Sequence, residues 1–208
     1  MISINDDNEE LDIMFYDNSD WAGQHLRFSW ITGGIFYKYF KSVEENRGFE
    51  DWESALKWLN YVHPGKKIKT IQFWGHGTPG RVWINGETLS IRSLVASSPE
   101  RFLLLKLKER LAKNCVIWFR CCNLFAGKEG QFFAKNLSNF LNCKIAGHTF
   151  IVHGWQGGLH TISPGQDPSW SETEGMKIKK NGNKEMLWTK PWSPNTIFCL
   201  TNEIPEGW

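Results

Sequence analysis

Two apolar runs in the chain both end in reactive side chains. Ile68-Lys69-Thr70-Ile71-Gln72-Phe73-Trp74 gives way to Gly75-His76-Gly77, and Cys115-Val116-Ile117-Trp118-Phe119-Arg120 gives way to Cys121-Cys122-Asn123. Each has the length and the β-branched and aromatic content of a buried strand. Other elements can be read around them. Residues 11–16 alternate and predict a first strand, closed by the turn chemistry of Asp17-Asn18-Ser19-Asp20. Phe49, Trp52, Leu56 and Leu59 recur at helical spacing and predict a helix over 49–61, stopped by Pro64-Gly65. Asn85-Gly86 between two short apolar runs predicts a hairpin over 81–89. Ser98 as cap and Pro99 at the first position open a helix over 98–113. A helix over 131–141, a strand over 143–147, an exposed hairpin over 176–188 and a last strand over 197–200 complete the reading, while residues 21–48 carry a mixed signal.

Strand, helix, strand, helix, strand is the signature of a mostly parallel sheet with helices on both faces, a three-layer α/β sandwich. The expectation is a single domain over 1–208. Its polar start, residues 1–10, is expected to be disordered, and residues 151–208 to form an irregular, Trp-rich C-terminal part.

Composition narrows the picture. Hydrophobic residues make up 41% and charged residues 22%, which places the chain among globular proteins. A formal net charge of +2 gives no electrostatic ground for a nucleic-acid partner or an anionic membrane. No signal peptide or membrane-spanning run is visible. Five cysteines, two of them adjacent, do not make a disulfide framework, so a reducing, cytoplasmic setting is expected. His148, His153 and His160 fit no common zinc spacing, and neither metal nor cofactor is expected.

In open parallel sheets ligands bind beyond the carboxyl ends of the strands. A thiol and an imidazole delivered there, 46 positions apart (122 minus 76), suggest a Cys–His nucleophilic pair. Such a thiol needs a base and a site for the developing oxyanion. Gly77 has no side chain to obstruct its amide, and the amide of Cys122 lies at the other strand end. Each such donor is worth roughly 3–4 kcal/mol in known cases. Strand alternation points Cys121 away from Cys122.

The segments Ile71-Gln72-Phe73-Trp74-Gly75-His76-Gly77 and Val116-Ile117-Trp118-Phe119-Arg120-Cys121-Cys122 resemble the caspase–gingipain–legumain group of cysteine peptidases. In that group one strand ends in His-Gly and a later one in the nucleophilic cysteine. In caspases the motif is Gln-Ala-Cys, with the histidine about 50 residues upstream. The resemblance covers residues 11–150 or so. It implies a caspase-like fold and a cysteine endopeptidase acting on a protein or peptide substrate, with Cys122 as nucleophile and His76 as base and acid. Arg120 takes the place of the caspase glutamine. It is expected to line the pocket for the residue before the scissile bond and to favour an acidic side chain there. Asp17, just past the first strand, is expected to orient the histidine or line the pocket. The chain departs from the pattern after Cys122, where Asn123-Leu124 follows, and past residue 150. Two other functions fit the same residues. One is a catalytically inactive domain of this fold that binds a protein; the other is a thiol amidase or acyltransferase acting on a small substrate.

Overall fold

A computed structural model describes residues 10–19 and 43–208, and the structural statements below concern these residues. The expected disorder of residues 1–10 falls almost wholly outside them, as does most of the mixed-signal stretch 21–48.

In chain order the elements begin with β1 (Leu11–Asp17), β2 (Glu45–Phe49), α1 (Trp52–Tyr61) and β3 (Ile68–Trp74). A small sheet follows, β4 (His76–Thr78), β5 (Arg81–Ile84) and β6 (Glu87–Ser90). Then come α2 (Pro99–Arg110), β7 (Leu111–Arg120), α3 (Gly127–Leu141) and β8 (Lys144–His148). The C-terminal part holds only short strands: β9 (Trp155–Gln156), β10 (Leu159–Ile162), β11 (Met176–Ile178), β12 (Lys184–Met186) and β13 (Ile197–Phe198).

Six strands make the central sheet in the order β10-β8-β7-β3-β1-β2. Five of them run parallel, and β10 pairs antiparallel with β8 at one edge, so the sheet is mixed. The molecule is therefore α/β, as expected. Along the central strands the side chains alternate between faces. Ile13, Phe15, Ile71, Phe73, Ile117 and Phe119 point to one side and pack beneath Trp52, Leu56, Leu104, Leu107, Phe133 and Leu137 of the three helices. On the other side Met14 and Trp74 meet Val43, while Trp118, Ala146 and Leu159 meet Ile197, Ile204 and Trp208. Helices on both faces were expected; among the described residues all three lie on one face. The C-terminal segment covers part of the opposite face.

The boundaries also differ from expectation in instructive places. Phe49 closes β2 rather than opening a helix; α1 starts at Trp52 because the Asp51 carboxylate accepts from the Ser54 amide at 2.6 Å. Helix α2 ends at Arg110, not Lys113. The Arg110 guanidinium reaches back to the carbonyls of Leu59, Val62 and Lys66 at 3.2, 2.8 and 2.9 Å, which satisfies acceptors at the end of α1. Leu111, at helical spacing from Leu107, instead begins β7 and pairs with Ile68. The Asn85-Gly86 turn has φ of 51° and 80°, the left-handed pair that a tight hairpin requires.

Candidate functional site

The central strands β1, β3 and β7 are neighbours, and their pairing aligns three carboxyl ends. Tyr16 of β1 pairs with Trp74 of β3, and Trp74 pairs with Arg120 of β7. Two residues beyond that last pair stand His76 and Cys122, and one residue beyond Tyr16 stands Asp17. Parallel strands lie about 4.8 Å apart, so the three residues stand in a row at one edge. Gly77 makes the contact explicit. A Cβ built on it would fall 2.7 Å from Cys121 Sγ and 2.7 Å from the Cys122 carbonyl oxygen. The His76-Gly77 strand thus lies directly against the Cys121-Cys122 turn.

The two cysteines face differently. Cys121 is fully buried within the helix-side core, and burial, with the neighbouring Cys122, pushes its thiol well up. Cys122 is half-buried, and its Sγ lies 3.8 Å from the carbonyl oxygen of Val152. Burial raises the Cys122 thiol above its ordinary value; the contact with Val152 opposes this. Burial lowers the His76 imidazole below 6.5, and the Asp17 carboxylate acts against that shift. At neutral pH the resting pair is therefore a thiol and a neutral imidazole.

Asp17 is buried and accepts hydrogen bonds from the Ser19 amide at 2.9 Å and the Ser19 hydroxyl at 2.6 Å. These bonds fix the carboxylate at the strand end, from which its charge reaches His76. The backbone amide after the thiol, that of Asn123, donates to Phe150 O at 3.0 Å with φ at 53°. This left-handed turn carries the chain from β7 into α3 and leaves Cys122 at its outer edge.

Arg120 does not face a pocket for substrate. It is 2% exposed, and its guanidinium lies over the rings of Trp118 and Trp74 at 4.1 and 4.5 Å. It donates to Gln156 Oε1 at 2.9 Å, Gln72 Oε1 at 3.1 Å, and the carbonyls of Thr201 and Cys199 at 2.7 Å each. Strand alternation turns it to the face that the C-terminal segment covers, where it binds the protein's own carbonyls. The expected preference for an acidic side chain rested on a guanidinium facing substrate, and this placement removes that ground.

The three later histidines are dispersed. His148 ends β8 and is fully buried between two partners: the Trp118 indole donates to Nε2 at 3.2 Å, and Nδ1 donates to Gly157 O at 3.2 Å. Burial first, and the Arg120 charge second, lower its pKa to about 3, so it is neutral in that tautomer. His160 Nε2 meets Glu174 Oε1 at 2.8 Å, and His153 Nε2 meets Thr189 O at 2.9 Å. A cavity of about 620 Å³ lies toward the amino ends of the strands, beneath Ile204 and Trp208. None of Asp17, His76, Gly77, Arg120 or Cys122 lines it.

The structure brings one feature to the site that the sequence did not reveal. The segment following β8, residues 150–155, runs beside Cys122. A single bridge between Ile151 and Trp188 then joins a residue 37 positions away (188 minus 151). No local pattern marks such a contact.

Fold and site together define an α/β protein with a thiol, an imidazole and a carboxylate at the ends of three neighbouring strands. Residues 46–157, more than half of the chain, match the family model described as "Domain of unknown function (DUF4347)", and the chain belongs to that family. No curated protein matches the chain. The matched span contains His76, Gly77 and Cys122; Asp17 and the segment from Gly158 onward lie outside it.

Proposed function

We propose that the protein is a cysteine endopeptidase with a caspase-like fold, working through Cys122 and His76. One observation carries the reading: the Trp74–Arg120 pairing, with Gly77 packed on the Cys121-Cys122 turn, brings the His76 strand and the Cys122 turn together at the carboxyl edge of the sheet. A strand ending in His-Gly beside a strand ending in cysteine, in one largely parallel sheet, also supports the resemblance to the caspase–gingipain–legumain group.

In the proposed reaction Cys122 Sγ attacks the peptide carbonyl as its proton passes to His76. The amides of Gly77 and Cys122 receive the oxyanion. The C–N bond breaks as His76 returns the proton to the leaving amine. Water, deprotonated by His76, then hydrolyses the thioester and restores the thiol. The resting pair is neutral, so the thiol gives up its proton to His76 as the C–S bond forms. Asp17 is the positioning residue: its charge favours the imidazolium that forms after proton transfer. A reducing compartment, the cytoplasm among them, suits a working thiol.

A peptide aldehyde tests this reading. A reversible hemithioacetal on Cys122, seen by mass spectrometry and lost in Cys122→Ala and in His76→Ala, supports it. No adduct with any of a diverse aldehyde set contradicts it. The raised thiol pKa also favours a second reading, an inactive domain of this fold that binds a protein partner. That reading predicts no adduct and an alkylation rate at Cys122 indifferent to His76.

A further inference from the structure

Away from the candidate site, two other thiols meet inside the helix-side core. Strands β7 and β8 are parallel neighbours, and Val116 pairs with Lys144. One residue before that pair, in the same row, stand Cys115 and Cys143. Parallel strands lie about 4.8 Å apart, within the roughly 4.4–6.8 Å between Cα atoms that a disulfide spans. Both side chains are buried, at 1% and 3% exposure, and both pack in the same core cluster, so they face one way. The backbone of Cys143 is held on both sides by Ser138: its amide donates to Ser138 O at 3.3 Å, and its carbonyl accepts from the Ser138 hydroxyl at 2.8 Å. Both thiols are free and they touch; a hydrogen bond to Cys143, ahead of burial, pushes the Cys115 thiol up.

The pair is buried but lies close to the rim of the sheet. Lys113 and Asn114, just before Cys115, are exposed, and so are Asn142 and Lys144 on either side of Cys143. Each thiol is therefore one residue from solvent, and local opening of this rim uncovers both. Between such openings burial keeps the pair unreactive. The span between the two cysteines, 28 positions (143 minus 115), contains the Cys121-Cys122 turn and all of α3. A bond closing that span restricts the unfolded chain and ties together two strands that are already neighbours in the folded one.

We propose that Cys115 and Cys143 are a redox-active dithiol, a modification site that a low-molecular-weight disulfide such as glutathione disulfide converts to a bond stapling β7 to β8. In the exchange one cysteine gives its proton to water and attacks a glutathione sulfur. The glutathione S–S bond breaks, and one glutathione thiolate leaves. The second cysteine, also deprotonated, attacks the protein sulfur of the mixed disulfide and expels the other glutathione. Two electrons pass from the pair to the oxidant, and both protons end on glutathione thiols. The site does not depend on the peptidase reading: it lies seven positions upstream of Cys122 (122 minus 115), toward the amino ends of the strands.

The full chain, refolded from urea in glutathione buffers that run from reducing to oxidising, then alkylated and mapped by peptide mass spectrometry, tests this site. The expected product is a single Cys115–Cys143 bond, lighter than the dithiol by two hydrogens and absent in Cys115→Ser and in Cys143→Ser. Either serine buries a hydroxyl in the core and can unfold the chain, so the second readout needs no substitution. In urea unfolding of the parent, the folded-to-unfolded ratio of the bridged chain is expected to exceed that of the reduced chain by at least about tenfold. A dominant bond between any other two cysteines overturns the proposal. So does a pair that stays reduced, or stops at a glutathione adduct, in the most oxidising buffer. A bridged chain no more stable than the reduced one overturns it as well, because the bond would then strain the β7–β8 pair instead of stapling it.

Discussion

Gly77 holds the candidate site together at the scale of single atoms. Its missing Cβ would collide with a buried sulfur and a backbone oxygen, both 2.7 Å away, and neither can swing aside as a flexible side-chain tip could. Gly77→Ala must therefore drive the His76 strand from the Cys122 turn. Loss of any His76-dependent Cys122 reactivity is expected, with a stability cost of about 1–3 kcal/mol in urea unfolding. Reactivity equal to the parent's would mean the two segments are not in the register described. The identities of His76, Gly77 and Cys122 were legible because each follows directly on a strand-like run. The reason for glycine at 77 was legible only in part. An open amide could be argued from sequence, but the contact with Cys121 depends on which strands become neighbours. Arg120 misled for the same reason. Its charge was visible, but the carbonyls that bind it lie 79 and 81 positions further along.

At the scale of elements, the buried central strands and the amphipathic helices were readable from period alone. Edge strands were not. β2 is mostly polar, with Glu45, Asn46 and Arg47 half-buried or exposed, so it carries no alternation to detect. β10 is only four residues long and sits in a stretch rich in glycine and proline. What fixes that edge is His148 at the end of β8, bridging Trp118 and the Gly157 carbonyl just before β10. This bridge makes stability depend on pH. The folded pKa of His148 is about 3, below the ordinary 6.5, so between those values the unfolded chain binds a proton that the folded chain does not. Stability must then fall as pH falls through that window, by up to about 1.4 kcal/mol per pH unit from this group. Urea midpoints measured from pH 7 to pH 4 in the parent and in His148→Gln should show a shallower decline in the variant. Parallel declines would mean that His148 takes up its proton without unfolding.

At the scale of the whole molecule, the C-terminal segment behaves as a cover for the sheet face that the three described helices leave open. Arg120 fastens it from inside: two aromatic faces hold the guanidinium, and two C-terminal carbonyls accept from it. Arg120→Met keeps much of the volume but strands those carbonyls and two glutamine side chains. A loss of about 3 kcal/mol is expected, with the C-terminal residues becoming the first site of limited proteolysis. A change under about 0.5 kcal/mol would show that the segment is held by Ile197, Ile204 and Trp208 alone. Sequence could not foresee this cover, because short irregular strands carry no period and the partners are far apart. Among the described residues no helix is long and apolar enough to cross a membrane. The proposed chemistry depends on His76 acting on Cys122 across the β3–β7 junction, and site-resolved alkylation by iodoacetamide at neutral pH measures that coupling. Slowing of Cys122 labelling by about tenfold or more in His76→Ala, with half-buried Cys199 labelled within about twofold of the parent rate, is expected. Identical Cys122 rates in parent and His76→Ala would contradict a working Cys–His pair.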